Sequence, residues 1–170
     1  MIDSSEAFGE PIKSVVNVVI KRWFCLLLLL GICAQGSAEN RGTYGQQVVA
    51  AVLMAEAWGE GRDGMTAVAE VIRNRADEWG LSPLAVVKKV KHFSCLNSTT
   101  PERLLRKFHR KPDFVLALEI ARTAYNSPQS LPGFSRGATH FHDHSKTPYW
   151  ASGKQPVAII GNLSFYRLSI

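Results

Sequence analysis

Val48 to Arg75, VVAAVLMAEAWGEGRDGMTAVAEVIRNR, reads as two apolar helices joined by a short glycine-rich connection that carries two glutamates. In the first helix Val49, Val52 and Leu53 recur at helical spacing, and Glu56 is next in the i, i+3, i+4, i+7 series. That series predicts that Glu56 faces the protein interior. Gly59 and Gly61 act as stop signals, so Glu56 also falls in the last helical turn. Burial and the negative end of the helix dipole both disfavour a charged carboxylate. A glutamate that keeps its proton near neutral pH is what a general acid for sugar-bond cleavage requires. A helix-end glutamate that reaches out to solvent has the same spacing, so position alone leaves both readings open.

The wording of the stretch goes further. AEAWGEG (55–61) followed by GMTAVAEVIRNR (64–75) resembles the signature of the SleB-like cell wall hydrolases, the spore-cortex-lytic-enzyme family. Further echoes follow in order. They are His92-Phe93-Ser94, Gly137 to His142 (GATHFH), Pro148-Tyr149-Trp150-Ala151, Ile160-Gly161-Asn162 and Phe165-Tyr166-Arg167. The resemblance spans about Val48 to Arg167. It implies a compact lysozyme-like domain that cuts peptidoglycan glycan strands between N-acetylmuramic acid and N-acetylglucosamine. It maps the family's catalytic glutamate onto Glu56, as acid/base. It also implies a choice of outcome. Enzymes of this fold with one essential glutamate often act as lytic transglycosylases, in which the muramic acid 6-hydroxyl attacks and a 1,6-anhydro product forms without water. Hydrolysis needs a second carboxylate, for which Glu60 is nearest in sequence and Asp63, Asp113 and Asp143 are more remote. Capping the second helix, or pairing with Arg62 or Arg75, is the competing role for Glu60. Because spacing places only Glu56, the water-free route is favoured.

The 170 residues carry a formal net charge of +6, and the length suggests one domain with a real apolar core. Lys21 and Arg22 precede an apolar run from Trp23 to Cys33, and Gly36-Ser37-Ala38 offers small residues for cleavage. Residues 1–38 are therefore expected to be a signal peptide, with 39–43 a linker and 44–170 the cell wall hydrolase domain. The expected site of action is outside the cytoplasm, in the periplasm or cell wall. Removing the signal leaves the charge at +6, which suits an anionic partner such as peptidoglycan. No basic stripe interleaves with aromatics, so nucleic acid is not an expected partner. The chain is expected to act as a monomer and without a cofactor. Cys95 is the one cysteine beyond the signal, which leaves no disulfide framework and reads as a tolerated thiol rather than a nucleophile.

The remaining chain predicts about five helices followed by a small C-terminal antiparallel sheet, a mainly helical α+β fold. The second helix starts near Asp63 as N-cap and presents Met65, Val68, Ile72, Arg75 and Trp79 on one face, with Glu70 and Asn74 facing elsewhere. Arg75 is expected to bind a carboxylate or carbonyl that steadies the glutamate loop. Ser82-Pro83 opens a third helix with Leu84, Val87 and Val90 inward, Thr100-Pro101 a fourth, and Asp113 a fifth. Residues 139–142, 157–160 and 163–168 read as strands, with Gly161-Asn162 as the turn between the last two. His140, His142, Tyr149 and Trp150 are the expected substrate-binding residues: imidazoles for sugar hydroxyls, aromatic rings for sugar faces. The alternation of His140, His142 and His144 keeps a rival reading open, a zinc-dependent hydrolase. A non-catalytic wall-binding module is a third.

Overall fold

The structure is a computed structural model that describes residues 41–170; the expected signal peptide lies outside the described residues. Residues from Gly42 onward form one compact unit. Among the described residues there are five α-helices: α1 (Tyr44–Ala57), α2 (Gly61–Trp79), α3 (Pro83–Val87), α4 (Pro101–Phe108) and α5 (Phe114–Asn126). Three strands follow: β1 (His140–Asp143), β2 (Ala158–Ile160) and β3 (Leu163–Tyr166). This is the mainly helical α+β order that the sequence predicts. None of the described helices is long and apolar enough to cross a membrane.

α1 is the central element. Thr43 caps it in a capping box, accepting from the Gln46 amide while the Gln46 side chain accepts from the Thr43 amide. Val48 through Leu53 are all fully buried, on every side of the helix and not on one face only. A helix that is apolar all round belongs inside a protein. α2, α3, α4 and α5 pack around it. Small residues at Ala50 and Ala51 let these neighbours approach, and each buried Val or Leu contributes about 1.5–3 kcal/mol.

Several local expectations are corrected. Glu60, not Asp63, occupies the N-cap of α2, and its side chain makes no capping bond. Val90 is exposed; Val86 and Val87 supply the buried face of α3. Ser82 and Thr100 do cap α3 and α4 by accepting from Ala85 and Arg103 amides. Asp113 stands at the N-cap of α5 without a side-chain cap, because its Oδ2 accepts from Trp58 Nε1 at 2.8 Å instead.

Glu70 and Asn74 do not face solvent. Glu70 is buried and accepts three backbone N–H bonds, from Gly133 (2.7 Å), Phe134 (3.0 Å) and Ser135 (2.6 Å). Asn74 Nδ2 donates to the Ala138 carbonyl at 2.8 Å. α2 thereby fixes the 127–137 loop, which lacks strand or α-helix bonds of its own. The three strands form an antiparallel sheet in the order β1-β3-β2. The alternation of Leu163 and Phe165 in the central strand packs the sheet against the helical core.

Candidate active site

An open groove of about 880 Å³ lies between the helical body and β1. Glu56 enters it from the end of α1, and Lys91, His92, Ser94 and Asn97 from the segment after α3. His140, Phe141, His142 and Asp143 come from β1, with Trp150 from the short 3-10 turn beyond it. Arg75 reaches it from α2.

Glu56 is half-buried, not enclosed, because its carboxylate opens into this groove. Ser94 Oγ donates to it at 3.1 and 3.3 Å from the two oxygens, and the Cys95 amide donates to Oε1 at 2.9 Å. Both donors belong to a 3-10 turn, Ser94–Leu96, which presents the Ser94 hydroxyl and the Cys95 N–H to the carboxylate. The oxygen position is therefore set by two segments nearly 40 residues apart. The Cys95 thiol lies beside the same carboxylate. Burial first, then the Glu56 charge, push its pKa up, which leaves it a poor nucleophile.

Glu60 takes a different direction. Its Oε2 accepts from the Asn162 amide at 3.0 Å and its Oε1 from Asn162 Nδ2 at 3.1 Å. This ties the α1–α2 connection to the β2–β3 turn, and Glu60 does not line the groove. Neither Arg62 nor Arg75 pairs with it: Arg62 pairs with Glu119. Arg75 is buried and donates from Nε to the Thr139 carbonyl at 2.5 Å and from a terminal nitrogen to the His92 carbonyl at 3.4 Å. So it joins the two walls of the groove rather than the glutamate loop. Burial lowers its pKa to about 10, so it keeps its charge at neutral pH.

His140, His142 and Trp150 form one aromatic wall. The His140 and His142 rings lie 5.3 and 5.7 Å from Trp150, and His142 stacks on Tyr166 at 5.4 Å. Burial, with the nearby Arg75 charge, lowers the His140 pKa to about 4, and the same two causes lower that of His92. These imidazoles are neutral near pH 7 and offer one donor and one acceptor nitrogen each. Tyr149, by contrast, is 92% exposed and does not line the groove.

Asp143, at the end of β1, brings a second carboxylate to the groove. It is exposed, and its Oδ1 accepts from the Ser145 amide at 2.6 Å. Bonds from Ser145, and the adjacent His144 and His142, hold its pKa below the usual value. The histidine run is not arranged as a ligand set. His142 commits Nδ1 to the Asp143 carbonyl (2.8 Å) and Nε2 to Tyr166 Oη (3.2 Å). His144 lies past the end of β1, with Nε2 on Ser164 Oγ at 2.7 Å. Among the described residues no three His, Cys, Asp or Glu side chains are grouped to hold a metal ion.

A helical body and a small sheet hold a glutamate over an open, aromatic-walled groove, the kind of concave surface on which ligand sites are built. Residues 59–166 match the Cell Wall Hydrolase family, and the chain belongs to that family, the SleB-like hydrolases whose motifs it carries. The matched span includes Glu60 and the groove-lining segments, and starts three residues after Glu56. No curated protein and no solved structure matches the chain.

Ser94, Arg75, His92, Lys91 and Asn97 line the groove, and Cys95 holds Glu56 beside it, without having been expected there as site residues. The His92-Phe93-Ser94 echo was the sequence signal available. Its meaning depends on a fold that carries residue 94 to residue 56.

Proposed function

We propose that this chain cleaves the glycan strands of peptidoglycan between N-acetylmuramic acid and N-acetylglucosamine, with Glu56 as the proton donor and acceptor. The observation that carries this reading is the Glu56 carboxylate, held by Ser94 and Cys95 and open to the aromatic-walled groove. A glycosidic oxygen seated beside Glu56 takes its proton as the bond breaks. Neutral His140 hydrogen-bonds a sugar hydroxyl, while His142 and Trp150 offer ring surface on which a sugar face packs. Glu56, now ionised, accepts a proton from the muramic acid 6-hydroxyl, which closes onto the anomeric carbon and yields a 1,6-anhydro end. Substrate and nucleophile belong to one molecule, so no water has to be positioned.

A second outcome of the same acid step is hydrolysis, favoured by the presence of Asp143 in the groove. Its low pKa suits a base that activates water. Its exposure and its commitment to Ser145 make it the lesser reading. Action outside the cytoplasm, with residues 1–38 as the export signal, is part of the proposal, and it agrees with a cell wall hydrolase family.

A peptidoglycan zymogram tests the reading. Clearing that survives EDTA and disappears in Glu56→Gln supports it. Clearing abolished by EDTA supports the zinc alternative, and no clearing by folded protein supports a binding module.

A further inference from the structure

Beside the groove lies a second depression of about 550 Å³, within the size range of small-ligand pockets. Lys88, Lys89 and Val90 line one part of it, and Leu96 and Thr99 another. Lys91 and Asn97 line both this depression and the groove, so the two spaces meet at those residues. The balance of charge is positive. Lys88 lies near Glu102, whose carboxylate already accepts from Tyr44 Oη at 2.6 Å. The Lys89 Nζ rests 4.3 Å from the centre of the Trp79 ring. Lys91 makes none of the ion pairs found among the described residues. Its backbone is held at φ 64°, in the left-handed region that non-glycine residues rarely occupy. Val90, 84% exposed at the same edge, adds an apolar surface with nothing packed over it.

The chemistry of an occupant follows from these features. It carries more than one negative charge, has small aliphatic parts, and is covalently continuous with a strand lying in the groove. The peptide that branches from the lactyl ether of muramic acid meets all three conditions. Its glutamate and terminal residues carry free carboxylates, its alanines carry methyl groups, and it leaves the sugar next to a scissile bond. We infer that the Lys88–Lys91 depression is a subsite for the acidic stem peptide, and that it makes the enzyme prefer peptide-bearing strands to bare ones. This inference rests on the reading of the groove as the glycan-cleaving site.

The test compares kcat/KM of the full chain on glycan strands of equal length, either bearing their peptides or stripped by an amidase. Exposed charge pairs are each worth a few-fold, so peptide-bearing strands are expected to be cut about tenfold more efficiently, through KM. In Lys88→Glu combined with Lys89→Glu the ratio is expected to fall to about two or less on the same grounds. Equal rates in the parent protein, or an undiminished ratio in the variant, overturn the inference. So does an equal loss on both substrates, which assigns the lysines to general attraction for an anionic wall. Should neither strand be cut, the glycosidase reading falls, and a separate titration decides the subsite. A synthetic tetrapeptide of alanine, γ-linked glutamate, a diamino acid and alanine is added to isotope-labelled protein. Saturable amide shifts at Lys88, Lys91 and Asn97 support the subsite; their absence refutes it.

Discussion

Asn162 grips Glu60 with both its nitrogens, backbone to Oε2 at 3.0 Å and side chain to Oε1 at 3.1 Å. A β-carbon at Gly161 would fall 1.6 Å from the same Oε2, so a side chain there would displace the Glu60 carboxylate from its clasp. Glu60 is thus spent on holding the α1–α2 connection. Glu60→Gln is expected to retain one of the two bonds and to lower activity by less than tenfold, within the worth of one hydrogen bond to a charged group. Glu56→Gln is expected to lose about 10²–10⁴-fold, the usual value of general acid–base catalysis. Turbidity loss of purified sacculi measures both; equal losses in folded variants would show two working carboxylates.

Ser94 lines the groove and donates its hydroxyl to Glu56. Ser94→Ala leaves the Cys95 amide as the remaining holder of the carboxylate. Its kcat is expected to fall about tenfold, the loss of one charge-assisted bond, with KM unchanged. Ser94→Thr, which restores the hydroxyl, should recover most of it. A change confined to KM would instead place Ser94 in direct contact with the glycan.

The buried Glu70 supports the 127–137 loop from beneath. Glu70→Ala leaves the N–H groups of Gly133, Phe134 and Ser135 without their acceptor. A loss of about 3 kcal/mol is expected from such orphaned donors, a drop in Tm on the order of 10 °C for a domain of this size. Calorimetry reads the loss directly, and a shift within 2 °C or so, the scale of an indifferent surface change, would mean that the loop holds itself.

Stability should depend on pH through His140. Its folded pKa, about 4, lies below the ordinary value of 6.5. Above 6.5 the imidazole is neutral in both states and imposes no cost. As pH falls from there towards about 4, the unfolded chain binds a proton that the folded chain refuses, so stability declines across that window. The lowered pKa of His92 acts in the same direction. Thermal melts from pH 7.5 to 4 should show the decline, and His140→Gln should flatten it. An unchanged slope in that variant would refute the assignment.

The products distinguish the two fates of the cleaved bond. Mass spectrometry of released muropeptides should show anhydromuramic ends, lighter by one water than reducing ends. A majority of reducing ends that disappears in Asp143→Asn would transfer the second half of the reaction to Asp143 and water.

What could be read from the residues in order was what depends on neighbours. The Ser82-Pro83 and Thr100-Pro101 caps, the Gly161-Asn162 turn and the apolar run of α1 are local signals, and each is met in the fold. The position of Glu56 in the last turn of α1 was also legible, through spacing. What joins it was not. Ser94 and Cys95 reach Glu56 only because α3 packs back on α1. Spacing set Glu70 apart from the Met65–Trp79 face of α2 but did not say what it meets there. Its partners are three consecutive amides more than 60 residues away, a distance no periodicity reports. Val90 followed the apolar repeat of α3 by one turn too many, since that helix ends at Val87.

The clasp between Glu60 and Asn162 spans 102 residues of chain and uses the turn just before the final strand. Four helices and two strands lie between the two partners, so this single contact closes most of the domain into one loop of chain. Disturbing the β2–β3 turn would therefore be felt at the connection beyond Glu56, on the far side of the sequence.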